Sequence, residues 1–261
     1  MVHVSLKAEP LFAIGPWTVT NSMLGALLVS VLLVAAALYI RRRASVIPTR
    51  LQSLIELPFE FVFGMVRDQG GRHWREILPL IATIFMFILL ANWMGILPGV
   101  GTIGLIEHEG GEEVLVPFIR PAAADLNFTL GLALLAFVTF IYFGIKAHGP
   151  GGYAKAVLLP EPKLLSPLMG PIELISHLSR VISLSMRLFG NVFAGEVLVL
   201  VLLAIGPVFV FAVFGLELLF GAVQALVFAI LAMTYVVLAT TSHHAEGESS
   251  EHAPEPASGS H

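Results

Sequence analysis

The 261-residue chain has no cysteine, so disulfides and thiolate metal sites are excluded and the redox compartment is left open. Charge is scarce as well. Asp, Glu, Lys and Arg make up 12% of the residues, about half of what an ordinary soluble domain carries. Apolar residues take their place, at 57% of the chain and a mean hydropathy of +0.89. A chain with so little polar surface reads as an integral membrane protein. Its apolar runs lack the two-residue alternation of barrel strands, so the spanning elements should be α-helices, which close their own backbone hydrogen bonds. The length admits about five or six of them. No residue period repeats and no duplicated halves are found. No Walker-type phosphate loop is present, so ATP is not expected to bind here, and nothing points to a nucleic acid. The N-terminal residues do not combine a basic flank, an apolar core and a small-residue cleavage site, so no cleaved signal peptide is expected.

What is present is organised by where the few charges fall. A first apolar run over residues 17–40 ends at Arg41, Arg42 and Arg43, with Arg50 close behind. That end is expected in the cytoplasm and the N-terminus outside. Residues 49–72 place Leu51, Leu54, Ile55, Pro58, Phe59, Val62 and Phe63 at roughly helical spacing among Gln52, Glu56, Glu60 and Arg67, the pattern of a helix lying on the interface. Residues 77–97 cross outward. Residues 98–122 hold the stretch EHEGGEE with Arg120 as their one basic residue, and read as a polar outside loop. Residues 125–145 return inward to Lys146, His148, Lys155 and Lys163. The glycines and prolines of 146–171 predict a loop with at most a short turn.

Two long segments follow, residues 172–205 and 208–240, separated by Gly206-Pro207. At 1.5 Å per residue the first would be roughly 50 Å long against about 30 Å of hydrocarbon. Either both tilt strongly, as a hairpin lying obliquely in the bilayer, or each begins at the interface before crossing; tilt is favoured because polar residues are spread along the first. The expected fold is therefore all-α, with about five membrane helices plus the interfacial one, in a membrane domain covering 1–242. Residues 243–261, rich in His and Glu, are expected to be a disordered tail on the cytoplasmic side. Its four histidines are irregularly spaced and read as solvated rather than metal-binding.

The intramembrane polar residues carry the functional signal. Arg187 stands in SLSMRLFGNVFAGE, where a charge at mid-depth costs about 2.5 to 3.5 kcal/mol. Snorkelling to a headgroup is the alternative for a long side chain near a helix end. Ser183, Arg187 and Asn191 are four apart and share a face, with Gly190 beside them to let another helix approach. Glu196, nine residues past Arg187, falls on the opposite face roughly 13 Å along. Glu173, His177 and Arg180 form either an ordinary interfacial ion-pair cluster or the mouth of a polar pathway. In the last segment Glu217 and Gln224 share a face about 10 Å apart, and Tyr235 returns close to it. Across the Gly206-Pro207 turn Glu196 and Glu217 can face each other, and two such carboxylates would titrate as a coupled pair able to take and release protons. An ion-coupled secondary transporter would also place charges at mid-depth, but it should show repeats and broken helices. A purely structural scaffold leaves Arg187, Glu196 and Glu217 together unexplained.

SLSMRLFGNVFAGE followed by VQALVFAILAMTYVVLA resembles subunit a of the membrane sector of F-type ATP synthases. IELPFEFVFGMV, LPLIATIFMFILLANWMGILPG, PAAADLNFTLGLAL and GGYAKAVLLPEP fall in that family's order and spacing. The resemblance implies a proton-translocating stator with two offset half-channels beside a rotating ring of c subunits, in a bacterial inner membrane. It further implies b-type peripheral stalk subunits, the remainder of the synthase and lipid as partners, and no cofactor or catalytic site in this chain. It assigns the gating arginine to Arg187, its neighbouring asparagine to Asn191, the outer-channel acid to Glu196 and the last-helix glutamine to Gln224. Glu173 and Ser183 match positions associated with the aqueous paths, and Glu217 and His177 are carried with them. In one departure, other members place a histidine at the position of either Glu217 or Glu196. Both are glutamate here.

Overall fold

The computed structural model describes residues 8–15, 17–43, 48–97, 100, 103–109, 112–158 and 166–240. A hairpin of β1 (Pro10–Ile14) and β2 (Trp17–Thr20) leads into α1 (Asn21–Arg43). Then come α2 (Arg50–Gln69), a 3₁₀ turn at Gly71–His73, and α3 (Trp74–Met94). A second antiparallel hairpin joins β3 (Gly104–Glu109) to β4 (Glu112–Pro117) in unbroken register from Gly104↔Pro117 to Glu109↔Glu112. A 3₁₀ turn at Ala122–Ala124 opens α4 (Leu126–Leu158), followed by α5 (Ser166–Ile205) and α6 (Pro207–Thr240). Five helices, α1, α3, α4, α5 and α6, are long and apolar enough to cross a membrane. The chain is an all-α, multi-pass membrane protein.

The core sits where α3, α4, α5 and α6 meet. From α3 it takes Ile77, Ile81, Ile84, Phe85, Ile88 and Leu89; from α6, Ala225, Phe228, Ala229, Ala232, Met233 and Val236. The alanines at 225, 229 and 232 recur at three and four residues, so α6 offers a smooth stripe that lets α3 approach closely. Helix α5 contributes Val181, Leu184 and Leu188. Helix α1 stands at the margin: Leu27, Val31, Leu32, Val34 and Leu38 are all exposed, a surface that lipid and not water can solvate. Only Asn21, Ser22, Gly25 and Val29 are buried, and the three arginines of its last turn complement the negative end of the helix dipole. Helix α2 is amphipathic, as its spacing predicts. Thr49 caps it, accepting from the Gln52 backbone N–H at 3.3 Å, and Val62 and Val66 are buried while Leu51, Leu54 and Phe61 are exposed.

Three expectations change. The described parts of 146–171 are helical and not a loop: α5 already starts at Ser166, and α4 runs to Leu158, interrupted at Gly149, whose φ of 72° and ψ of 163° turn the chain. The segment after the break folds back, because Tyr153 lies so close over Gly144 that any side chain there would collide with its ring. Pro150 follows the break at the first position of the new helical stretch, where a missing N–H costs nothing. Pro171 lies inside α5, so proline there bends or weakens one turn instead of ending the helix. The stretch 98–122, expected to be a polar loop, contains the β3–β4 hairpin. The apolar run from residue 17 is divided, with Trp17–Thr20 in a strand and the helix starting at Asn21. The tail over 243–261 lies outside the described residues.

Candidate functional site

Helix α5 is fixed in rotation by what it buries. The Ser185 hydroxyl shares a buried 3.0 Å hydrogen bond with that of Thr129 on α4, and Leu184 and Leu188 are nearly inaccessible on the same side. With Ser185 turned inward, the residues about 200° away are turned outward. Ser183, Met186, Arg187 and Gly190 are exposed and Asn191 half-buried. The face expected from spacing is therefore real, and no other described part of the chain covers it. Arg187 makes no ion pair or hydrogen bond with the described residues.

The opposite face of α5 carries Glu196. Its carboxylate is paired with Arg120: Nη2 lies 2.9 Å from Oε2 and Nε 3.4 Å from Oε1, a two-point contact. The Arg120 side chain is 8% exposed and that of Glu196 23%, so the pair is largely withdrawn from solvent. Arg120 is held by its own backbone, whose N–H reaches the Asn21 carbonyl at 3.5 Å and whose carbonyl lies against Gly25 of α1. Beside this pair, the Glu217 carboxylate of α6 rests against Gly195, close enough to occupy the place of a Cβ. The two carboxylates are neighbours, as the turn at Gly206 allows. Glu217 takes no hydrogen bond or ion pair from the described residues.

Further along α6 the polar line continues. Asn92 Nδ2 donates to the Gly221 carbonyl at 3.0 Å and Trp93 Nε1 to that of Leu218 at 3.0 Å, clamping the end of α3 to α6. Gln224 is buried. Its Nε2 and the Oδ1 of Asn92 have no partner among the described residues. Glu217, the Gly221 carbonyl and Gln224 thus form one polar face over about 10 Å.

A second cluster occupies the start of α5. Glu173 Oε1 lies 3.5 Å from His177 Nε2 and 3.9 Å from Arg180 Nη2, and Arg180 Nη1 is 3.4 Å from His177 Nδ1. His177 is buried against Phe140, ring centroids 4.9 Å apart. The Arg180 guanidinium stands over Tyr235 at 5.1 Å. This cluster is more than a surface ion pair, since it ties α5 to α4 and α6 and lines a small cavity with Ala133, Ala136 and Phe137. Apolar packing of Leu184, Leu188, Phe228 and Ala232 separates it from the first cluster. Arg187 lies between the two, about 15 Å along the helix from His177 and about 13 Å from Glu196. Among the described residues no three His, Asp or Glu side chains gather as a metal ion requires.

The partners of Glu196 and Gly221 were not legible in the sequence. Arg120 is 76 residues from Glu196, and its one signal was being the lone cation of an acidic loop. Asn92 and Trp93 gave a weaker sign, as two hydrogen-bonding side chains near the end of an apolar run.

The whole arrangement lies within a segment that known proteins share. The family described as ATP synthase A chain matches residues 22–237. The chain is 37% identical over 228 residues to the ATP synthase subunit a of Gluconacetobacter diazotrophicus, a match covering 80% of this chain and 84% of that protein. It is 34% identical over 243 residues to the ATP synthase subunit a of Gloeobacter violaceus, covering 92% and 90%. The same-named protein of Nitratiruptor sp. is 37% identical over 204 residues, covering 77% and 81%.

Proposed function

This chain belongs to the ATP synthase A chain family, and from that premise we infer the residue-level working of a proton-translocating stator subunit in the membrane sector of a rotary ATP synthase. The observation that carries the assignment of roles is Arg187, a permanent cation on a helix face that the rest of the described chain leaves uncovered. Guanidinium does not give up its proton at accessible pH. Placed at mid-depth it needs a counter-charge, and that charge comes from a partner. The partner is a ring of c subunits, each bearing a carboxylate within the membrane.

The chemistry follows from charge and solvation. A ring carboxylate that has taken a proton is neutral and can turn into lipid cheaply; an ionised one is drawn to Arg187. Protons reach the ring from outside by way of Glu196, Glu217, Asn191 and Gln224. They leave toward the cytoplasm past Ser183, Glu173 and His177. Arg187 repels protons from the space between the two half-channels, so that a proton crosses only when the ring turns. Each crossing is worth about 2.3 kcal/mol per 100 mV, which a direct leak would dissipate. ATP is handled elsewhere in the complex, and this chain supplies no catalytic site or cofactor.

The three arginines at the end of α1 support a cytoplasmic position for that end, in a bacterial inner membrane with the N-terminus outside. Five crossings then return the tail to the cytoplasm, and the long α5 and α6 lie obliquely to fit the bilayer. The c ring, b-type stalk subunits, the rest of the synthase and surrounding lipid are the partners. Gentle solubilisation and affinity capture of this chain test the reading. An oligomeric ring of small two-helix subunits and a polar stalk should come with it, and recovery as an isolated, solute-carrying protein would overturn it in favour of a secondary transporter.

A further inference from the structure

The cluster at the start of α5 holds an imidazole between two opposite charges. Arg180 Nη1 lies 3.4 Å from His177 Nδ1, and a guanidinium can only donate. Nδ1 is therefore the acceptor, and the ring proton sits on Nε2, which faces Glu173 Oε1 at 3.5 Å. The two partners together select a neutral ring in one tautomer. That ring has little room to turn, since its side chain is 8% exposed and packs on Phe140 and Phe137 of α4 at centroid distances of 4.9 and 6.2 Å. Arg180 is steered from its other side, where the guanidinium stands over Tyr235 at 5.1 Å. It meets Glu173 loosely, at 3.9 Å, and the Glu173 side chain stays 42% exposed.

Resting on the reading that this cluster is the cytoplasmic exit of the proton path, we propose that His177 is a positioning residue of that exit: as a neutral acceptor it keeps Arg180 from closing on Glu173, and so leaves Glu173 open to hand protons to the cytoplasm. A proton on Nδ1 ends the arrangement. It sets one N–H against another and turns a neutral set of three groups, one carboxylate, one guanidinium and one imidazole, into a net positive one that repels the next outgoing proton. Exit therefore slows as the cytoplasm acidifies. The charged and titratable groups facing the ring in the described chain are Glu173 and Arg180 on its own helix; α4 brings Tyr153 to that pair, and α6 brings Tyr235 to Arg180.

The test is passive proton flow through membrane vesicles stripped of the soluble sector, driven by a fixed imposed potential toward the cytoplasmic face and normalised to the amount of assembled complex. Flow is measured with the cytoplasmic face at about pH 7.5 and at about pH 5.5, which brackets the range in which an imidazole titrates. His177→Leu removes the acceptor, and the lost hydrogen bond to a charged group should lower flow by about tenfold at both pH values. His177→Gln restores an acceptor and a donor that cannot titrate, so it should recover most of that loss near neutral pH. It should also abolish the acid response: the unmodified complex should lose about threefold more flow between the two pH values than the glutamine variant does. Because the leucine variant can assemble poorly, the glutamine variant is the deciding one. If its pH profile matches that of the unmodified complex, or if His177→Leu lowers the amount of complex while leaving flow per complex unchanged, the proposal is overturned. Glu173→Gln separates the two levels of the argument. Reduced flow is expected, and normal flow in that variant removes the cluster from the exit altogether, whatever His177 does.

Discussion

Arg187 is the residue whose loss should be felt most. Its neighbours in the chain do not cover it, so removing its side chain leaves the described core intact while deleting the charge proposed to block protons between the two half-channels. Arg187→Ala complexes should assemble in near-normal amounts. Proton-driven ATP synthesis in vesicles should fall by about a hundredfold or more, which requires only about 2.7 kcal/mol of lost coupling, comparable to what the membrane charges for one buried cation. Passive leak should stay the same or rise. Normal synthesis in that variant would remove the gate. Gly195 makes a second prediction of the same kind. A methyl group there must displace the Glu217 carboxylate, and misplacement by about 1 Å can cost up to a hundredfold in rate. Gly195→Ala should therefore slow proton flow by about tenfold or more with little change in thermal stability; unchanged flow would mean that Glu217 does not act from where it lies. The face holding Ser183, Arg187 and Asn191 was legible in the sequence because helical spacing alone defines it. The Arg120–Glu196 pair was not, because it joins a loop to a helix and no local period links them.

At the scale of elements, the helices were legible and their breaks were not. Apolar runs of spanning length name α1, α3, α4, α5 and α6, since lipid demands an all-apolar outside of each. The Gly149 turn, by contrast, depends on Tyr153 folding back over Gly144, a contact that composition cannot show. The hairpins flanking α1 and α3 were hidden for a related reason: paired strands four to six residues long give too little alternation to stand out. The chain that leaves β4 brings the Arg120 backbone to α1, where its N–H reaches the Asn21 carbonyl at 3.5 Å. Gly25 is the point of contact, with the Arg120 carbonyl lying where its side chain would be. Gly25→Val should push α1 away from the loop at a cost of about 1 to 3 kcal/mol, lowering the inactivation temperature of the purified complex. Because the same loop carries Arg120, proton flow should drop in the same variant. A change in stability with flow per complex preserved would show that the loop's position does not bear on proton flow.

For the whole molecule, the lack of cysteine that excludes disulfides also makes orientation measurable. Two polar clusters on opposite ends of α5 can serve opposite sides of a membrane only if the chain crosses in one sense, with β2 outside and the α2–α3 connection inside. The arginines of α1 argue for that sense, because basic residues near a span are retained in the cytoplasm. Thr18 is exposed on β2 and Asp68 is exposed near the end of α2, so each can carry a single cysteine without disturbing the core, in a background with no other thiol. A membrane-impermeant maleimide applied to intact cells with the outer barrier opened should label Thr18→Cys and spare Asp68→Cys. Applied to inverted vesicles it should do the reverse. If Asp68→Cys were labelled from outside, the Glu196–Glu217 cluster would face the cytoplasm and the directions of the two half-channels would have to be exchanged, although the gate at Arg187 would stand. The orientation therefore decides which cluster receives protons under the membrane potential.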